Sequence, residues 1–232
     1  MSQLRLLNDG PLPPAPAGID LRHCDARELL EDPDVGEACL VIADPPWSYT
    51  QGPGAVDPSL QYSTLSDQDI AEIMQRAGGA VACDARLAMW CTWPKLGEWW
   101  AAWDRTRSPR WQYVTGGAWN KTDLGGVGYH WLGRSEPVLI YKRGAPCATK
   151  WGGLTNSHIS RALGHSEKPA EWIVGWLERW TEPGDLVVDL FAGLAPVAVA
   201  CLRTGRRYLG AELNGERHRA GSVRIAREQW KE

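Results

Sequence analysis

Asp44-Pro45-Pro46-Trp47 follows the apolar run Leu40-Val41-Ile42-Ala43, and so falls where a buried strand ends. Open α/β sheets place their ligand crevice at such strand ends. A carboxylate and a backbone carbonyl in a rigid di-proline loop, beside a tryptophan, suit the methylation of an exocyclic amino group on a nucleobase. The lone pair of an aromatic amine is delocalised into its ring, so the nitrogen is a poor nucleophile. Two acceptors off the ring plane, Asp44 and the Pro45 carbonyl, would favour a pyramidal nitrogen with a freed lone pair. Proline fixes φ and donates no hydrogen bond, so the loop presents acceptors only. Trp47, as an exposed ring, would stack on the base. Catalysis would come from alignment and oriented dipoles, without a covalent intermediate. The same four residues also suit a Pro-Pro turn that closes a strand, with Trp47 in the core.

The elements around this motif alternate between strand and helix. Ile19–Leu30 holds a short strand, and Leu40–Ala43 is the buried strand before the motif. Leu65–Ala77 is a helix with Ser66 and Asp69 as its capping box and Ile70, Ile73, Met74 and Ala77 as its apolar face. Leu87–Thr92, Trp111–Asn120 and Pro137–Lys142 are strands. Lys95–Arg105 is a helix whose stripe of Leu96, Trp99, Trp100 and Trp103 is a core face. Lys121–Trp131 and Ala145–Gly164 read as loops, and loops of the second one's length often carry function. Ser166 caps a helix with Trp172, Ile173, Trp176, Leu177 and Trp180 on one face. The apolar run Leu186–Phe191 suits a central parallel strand. A helix at Pro196–Arg203, a strand at Tyr208–Leu213 and a helix at Asn214–Trp230 complete the chain.

This alternation points to an α/β fold with a Rossmann-like, doubly wound sheet. It also supplies a second strand-end site. Asp189-Leu190-Phe191-Ala192-Gly193 runs from strand to glycine to helix, and Glu212 ends the next strand. Small residues at such a turn let the backbone approach a ligand, and the later carboxylate can accept from ribose hydroxyls.

The 232 residues suffice for one α/β domain, expected over 19–232 behind a flexible proline-rich arm at 1–18. Six scattered cysteines without a C-x-x-C pair suit a reducing compartment and argue against a metal site. No apolar run approaches transmembrane length and no signal-peptide pattern is present, so a cytoplasmic protein without a membrane partner is expected. The net charge of −3 hides an asymmetry: residues 1–104 hold 6 Lys/Arg and 16 Asp/Glu, residues 105–161 hold 9 and 2, and residues 162–232 hold 10 and 10. The basic middle also carries Trp111, Tyr113, Trp119, Tyr129, Trp131, Tyr141 and Trp151. Basic residues interleaved with aromatics suit a nucleic-acid surface. Equally, those rings could be core and the charges merely solvated.

Together these residues resemble the S-adenosylmethionine-dependent adenine N6-methyltransferases. The order, catalytic motif before cofactor motif, is similar to the circularly permuted beta class of bacterial and phage DNA amino-methyltransferases. In detail the chain resembles the family of the eukaryotic mRNA adenosine methyltransferase catalytic subunit. Its Cys-Asp-x-Arg segment matches Cys24-Asp25-Ala26-Arg27, and its Tyr-x-Thr-Met-Ser matches Tyr62-Ser63-Thr64-Leu65-Ser66. Met89-Trp90-Cys91-Thr92, Trp119-Asn120-Lys121, Glu136 with Lys142-Arg143-Gly144, and His165-Ser166-Glu167-Lys168-Pro169 follow in the family's order.

The resemblance implies S-adenosylmethionine as cofactor and DNA as partner, with RNA as the alternative; a homodimer is one possible assembly. It implies that Asp25 and Ala26 border the cofactor's adenine, with Asp25 accepting from its amino group. Lys168 would reach the cofactor's carboxylate, and Asp189, Phe191, Gly193, Glu212 and Leu213 would hold the rest, beside Asp44. Asp44, Pro45, Pro46 and Trp47 would be catalytic, while Tyr49, Tyr62 and Lys121 would bind substrate. Trp47 in place of Tyr favours adenine over cytosine N4. One departure stands out: the Asp-Pro-Phe-x-Gly-Ser-Gly usual in the beta class reads Asp189-Leu190-Phe191-Ala192-Gly193-Leu194-Ala195, followed by Pro196. The second glycine is missing and Pro196 removes a backbone donor. Only about 105–161 could recognise a target sequence, so short or relaxed specificity is expected. An adenine must be flipped or already single-stranded to be reached.

Overall fold

The structure, a computed structural model, describes residues 11–48, 64–105, 110–122, 133–146, 154–161 and 167–229. Its eight strands are β1 (Ile19–Arg22), β2 (Leu40–Ala43), β3 (Ala85–Trp90), β4 (Gln112–Lys121), β5 (Ser135–Arg143), β6 (Ser157–Ser160), β7 (Leu186–Asp189) and β8 (Arg207–Ala211). The helices are α1 (Ala26–Leu29), α2 (Asp67–Ala80), α3 (Leu96–Arg105), α4 (Ala170–Trp180), α5 (Pro196–Thr204) and α6 (Gly215–Gln229). The strands form one mixed sheet in the order β1-β8-β7-β2-β3-β5-β4-β6. Pairing is parallel from β1 through β3, antiparallel where β5 meets β3 and β4, and parallel again between β4 and β6.

Successive strand side chains point to opposite faces, so a strand buried on both faces divides its residues between two cores. Val41, Ala43, Leu87 and Met89 pack with α1, α2 and α3. Leu40, Ile42, Ala88 and Trp90 pack on the other face with α4, α5 and Ile225 of α6. This is why Leu40–Ala43 reads as a continuous apolar run rather than an alternating one. Helix α2 starts as its sequence requires: Ser66 Oγ accepts the Asp69 N–H at 3.1 Å and donates back to the Asp69 carboxylate.

The order places a topological switch point between β2 and β7. From β2 the chain moves one way to β3, and from β7 it moves the other way to β8. The two departing connections leave a crevice at the carboxyl ends, where such sheets bind ligands. Ile42 is in register with Asp189 across this pair, so the loop after β2 and the loop after β7 stand side by side.

Several boundaries depart from the sequence reading. The supposed long loop 145–164 contains β6, a polar edge strand whose one apolar residue gives no periodic signal. Lys121 ends β4 instead of opening a loop. β7 ends at Asp189 and β8 at Ala211, so Phe191, Glu212 and Leu213 lie in loops. α4 begins after Pro169 with no side-chain cap, and Ser166, the expected cap, lies outside the described residues. Trp99 and Trp103 are buried in the core as expected. The basic middle fares differently: Trp111, Trp119 and Tyr141 are buried, so three of its rings are core and not a stacking surface. Tyr129, Trp131 and Trp151 lie outside the described residues.

Gly210 in β8 sits against the buried Tyr208 ring, where a Cβ would fall on the phenol oxygen. Gly210→Ala should therefore destabilise the protein by about 1–3 kcal/mol through overpacking. Equilibrium denaturation checks this, and an unchanged midpoint would refute it.

Candidate functional site

The loop after β2 is stitched down by its own backbone. The Trp47 N–H donates to the Pro45 carbonyl at 2.9 Å, and the Leu65 N–H donates to the Pro46 carbonyl at 2.9 Å. Trp47 is not the exposed ring that the sequence suggests. It is 4% exposed and packs edge-on against Trp99 of α3. The indole braces the loop against the core, while part of it still faces a cavity. That cavity, about 530 Å³, opens at the switch point.

All twelve residues assigned from sequence to catalysis or to the cofactor line this one cavity: Asp25, Ala26, Asp44, Pro45, Pro46, Trp47, Lys168, Asp189, Phe191, Gly193, Glu212 and Leu213. Tyr49 and Tyr62 lie outside the described residues. Lys121 is not part of the lining; its ammonium meets the Glu136 carboxylate and lies 4.9 Å from the Trp119 ring centroid.

Three charged groups alternate along one wall, and Lys121 extends the series beyond the lining. Lys168 Nζ lies 2.7 Å from Asp44 Oδ2 and 3.2 Å from Glu136 Oε2, and Glu136 also receives Lys121. Burial pushes the Asp44 carboxyl above the usual range, and Lys168 only partly offsets this. Burial acts on Glu136 too, but the Lys168 and Lys121 charges outweigh it and hold that carboxyl low. Lys168 is itself buried, yet its two carboxylates hold the ammonium charged more firmly than in water. The sequence signal for Glu136 was its place in the family's order, without a role; its position between two lysines supplies one.

The opposite wall is built by the loops after β7 and β8. Glu212 clamps them together, accepting the Gly193 N–H and the Asn214 N–H, each at 2.7 Å. Asp189 accepts from the Phe191 N–H at 3.3 Å and from the Tyr208 hydroxyl at 3.2 Å. Burial still raises its carboxyl to about 7. Ala195, the counterpart of the family's second glycine, has φ 57° and ψ 44°, the left-handed conformation that glycine adopts freely. Pro196 then opens α5 at the position where a missing N–H costs least. Asp25 accepts the Arg27 N–H at 2.7 Å as the N-cap of α1.

The cavity also holds polar groups that the fold leaves unsatisfied. Trp47 Nε1, Trp90 Nε1 and Thr92 Oγ1 are buried without a hydrogen-bond partner among the described residues, and all three residues line the cavity. Buried donors of this kind cost about 1–3 kcal/mol each unless a ligand meets them. With the carboxylates of Asp25, Asp189 and Glu212 and the cation of Lys168, the wall offers both donors and acceptors to a polar ligand. Sequence reasoning missed Arg217, which also lines it and which neither spacing nor periodicity marks, and gave Thr92 a place in the family's order without a role. Among the described residues no cluster of His, Cys, Asp or Glu could hold a metal ion, and no helix is long and apolar enough to cross a membrane.

A mixed α/β sheet with its cavity at the switch point defines the class of fold. The crystal structure of the M1.HpyAVI–SAM complex superposes with a TM-score of 0.69 at 17% identity, covering 89% of this chain and 99% of that one. The PvuII DNA methyltransferase, which is cytosine-N4-specific, superposes with a TM-score of 0.66 at 14% identity, covering 94% and 95%. At such identities the likeness is one of fold. In sequence, the DNA methylase family N6_N4_Mtase matches residues 98–223, and the chain belongs to that family. The matched span includes Glu136, Lys168, Asp189 and Glu212, while Asp44 precedes it. The putative methylase YubD of Escherichia coli (strain K12) is 37% identical over 95 residues, which make up 41% of this chain and 39% of that protein.

Two stability predictions follow from the two walls. Lys168→Met leaves Asp44 without its ion-pair partner and Glu136 with Lys121 alone. It should cost about 3–5 kcal/mol near neutral pH, and less in acid where the carboxylates take up protons; denaturation at both pH values reads this out. Asp189 ionises at its ordinary 3.8 when unfolded but keeps its proton to about 7 when folded. The folded state therefore binds the extra proton between those values. Its contribution to stability falls as pH rises from about 4 to 7, by up to about 1.4 kcal/mol per unit, and is level above. Asp189→Asn should flatten that part of the stability profile; identical slopes would refute the assignment.

Proposed function

We propose that this chain transfers the methyl group of S-adenosylmethionine to the N6 amine of adenine in DNA. The observation that carries the reading is the junction at the switch point: Asp44-Pro45-Pro46-Trp47 faces the Asp189–Gly193 and Glu212 loops across one cavity. The proposed cofactor has hydroxyls and an ammonium that need acceptors, and Asp25, Asp189 and Glu212 supply carboxylates. Its carboxylate needs cations, and Lys168 lines the same cavity. When bound, it supplies an electrophilic methyl group on a sulfonium.

The chain's own work is on the amine. Asp44 and the Pro45 carbonyl each accept one N–H and draw the nitrogen out of conjugation. The Pro45 oxygen already receives the Trp47 N–H, which orients it and leaves a second lone pair for the amine. Lys168 favours the ionised, accepting form of Asp44 against the effect of burial. Trp47 holds the loop rigid from within the core, so the acceptors stand preorganised where the amine would be held. The tryptophan at the motif's fourth position and the ordered segments from Cys24 to Lys168 support adenine through the resemblance described above. Family membership supports DNA as the polymer.

The test is incubation with labelled S-adenosylmethionine on duplex DNA, single-stranded DNA and RNA, followed by nucleoside mass spectrometry. N6-methyldeoxyadenosine is the expected product. Modified cytosine would overturn the base, and N6-methyladenosine in RNA alone would overturn the polymer. Asp44→Ala should lower kcat by on the order of 10²–10³ or more while calorimetric cofactor binding persists. Retained activity in that variant would remove Asp44 from its role.

A further inference from the structure

Among the described tryptophans, only Trp93 is exposed, at 53%. The ring is not loose. Its Nε1 donates to Ser135 Oγ at 2.8 Å, and its backbone sits in the short 3-10 turn Trp93–Lys95. That turn is held in place by Lys95, buried between Asp67 at 3.3 Å and Glu98 at 2.6 Å. A large apolar ring fixed in solvent by a hydrogen bond and an ion-paired turn gains little from packing and is held with a face open to a ligand.

The two anchors locate the ring. Thr92, directly before Trp93, lines the cavity, and Glu136, directly after Ser135, lines it too; Trp93 itself does not. The indole therefore stands beside the cavity lining and outside it, just past the carboxyl end of β3. That strand is hydrogen-bonded to β2, whose end carries Asp44. Arg134, exposed, precedes Ser135 in the chain. Tyr113, exposed at 44%, offers no rival: it pairs with Tyr141, at the far end of the β4–β5 ladder from Ser135, and packs on Trp100 and Tyr141.

We propose that Trp93 is a stacking platform for the base that neighbours the target nucleotide in DNA. The proposal rests on the methyltransferase reading above. An amine held at Asp44 places the target base inside the cavity, and the adjoining nucleotide then leaves through the mouth beside Trp93. Every base has a π-face, so this contact grips single-stranded or locally opened DNA without selecting sequence. Arg134 supplies charge for a nearby phosphate. Trp93 thus provides the open stacking face that the buried Trp47 does not.

The test compares the full chain with Trp93→Ala and Trp93→Phe on single-stranded oligodeoxynucleotides that carry one adenine. The adenine is flanked by normal bases or by an abasic site on one side or the other. Methyl-transfer kinetics and fluorescence-anisotropy binding of the same labelled oligonucleotides are measured independently. Trp93→Ala should raise KM and Kd on the order of ten- to a hundredfold with kcat near the wild-type value, and Trp93→Phe should recover most of the loss. An abasic site on the stacked side should cost the wild type the same factor and cost the alanine variant nothing further. Unchanged KM and Kd in the alanine variant, or equal abasic penalties in both proteins, would overturn the platform. Calorimetric S-adenosylmethionine binding checks that the variants are folded. If the wild type methylates no nucleic acid, the methyltransferase reading fails, while the anisotropy measurements still decide the role of Trp93.

Discussion

The placement of Lys168 between Asp44 and Glu136 is the constraint on which the rest of the site depends. A buried ammonium loses several kcal/mol of hydration, and only well-placed carboxylates recover it. Here the partners come from the end of β2 and the start of β5, with the lysine from the segment before α4. One cation thus joins three separate parts of the chain at the cavity wall. Charge balance requires the alternation: Glu136 faces two lysines, and Lys168 faces two carboxylates. Such a chain fixes the position of Asp44 and opposes the effect of burial on its ionisation, which the proposed chemistry needs in an acceptor.

The sheet makes that meeting possible. Because β2 and β7 are neighbours whose connections depart in opposite directions, their carboxyl ends cannot be covered by the same crossover, and a crevice remains. Helices on both faces bury the strands that flank it, so the loops at the crevice are held on rigid supports. The turn of the sheet to antiparallel pairing at β5 has a further consequence. It brings the amino end of β5, with Ser135 and Glu136, to the same edge as the carboxyl ends of β2 and β3. A wholly parallel sheet would have placed those residues on the opposite side.

What the sequence made legible follows from how local each signal is. Asp44, Asp189 and Glu212 each follow an apolar run, so their places at strand ends can be read within a few residues. The Ser66–Asp69 cap is equally local. The ion pairs of Lys168 join residues far apart in sequence, and no periodicity encodes them; the lysine therefore read as a cofactor ligand alone. Aromatic residues were ambiguous for a different reason. Tryptophan suits a core and a stacking surface alike, and the fold resolved this toward the core for Trp47, Trp111 and Trp119, which are buried. The edge strand Ser157–Ser160 has too little apolar content to register at all.

The cofactor-side loop shows how such a site tolerates a departure from its family's pattern. Ala195 in the left-handed region costs roughly 1–2 kcal/mol that glycine would avoid. The surrounding contacts hold it there: the Ala195 N–H donates to the Ala192 carbonyl at 2.8 Å, Arg224 donates to the Leu194 carbonyl at 3.1 Å, and Glu212 holds Gly193. Arg224 is in turn fixed by Glu167 at 2.6 Å, next to Lys168 in sequence. The strained turn and the cation that holds Asp44 are therefore tied to the same short segment before α4. Glycine permits the turn by having no side chain; here alanine adopts it because the two walls of the cavity are cross-linked. The methyl group that causes the strain is fully buried beside Gly221 of α6, so part of the cost returns as packing.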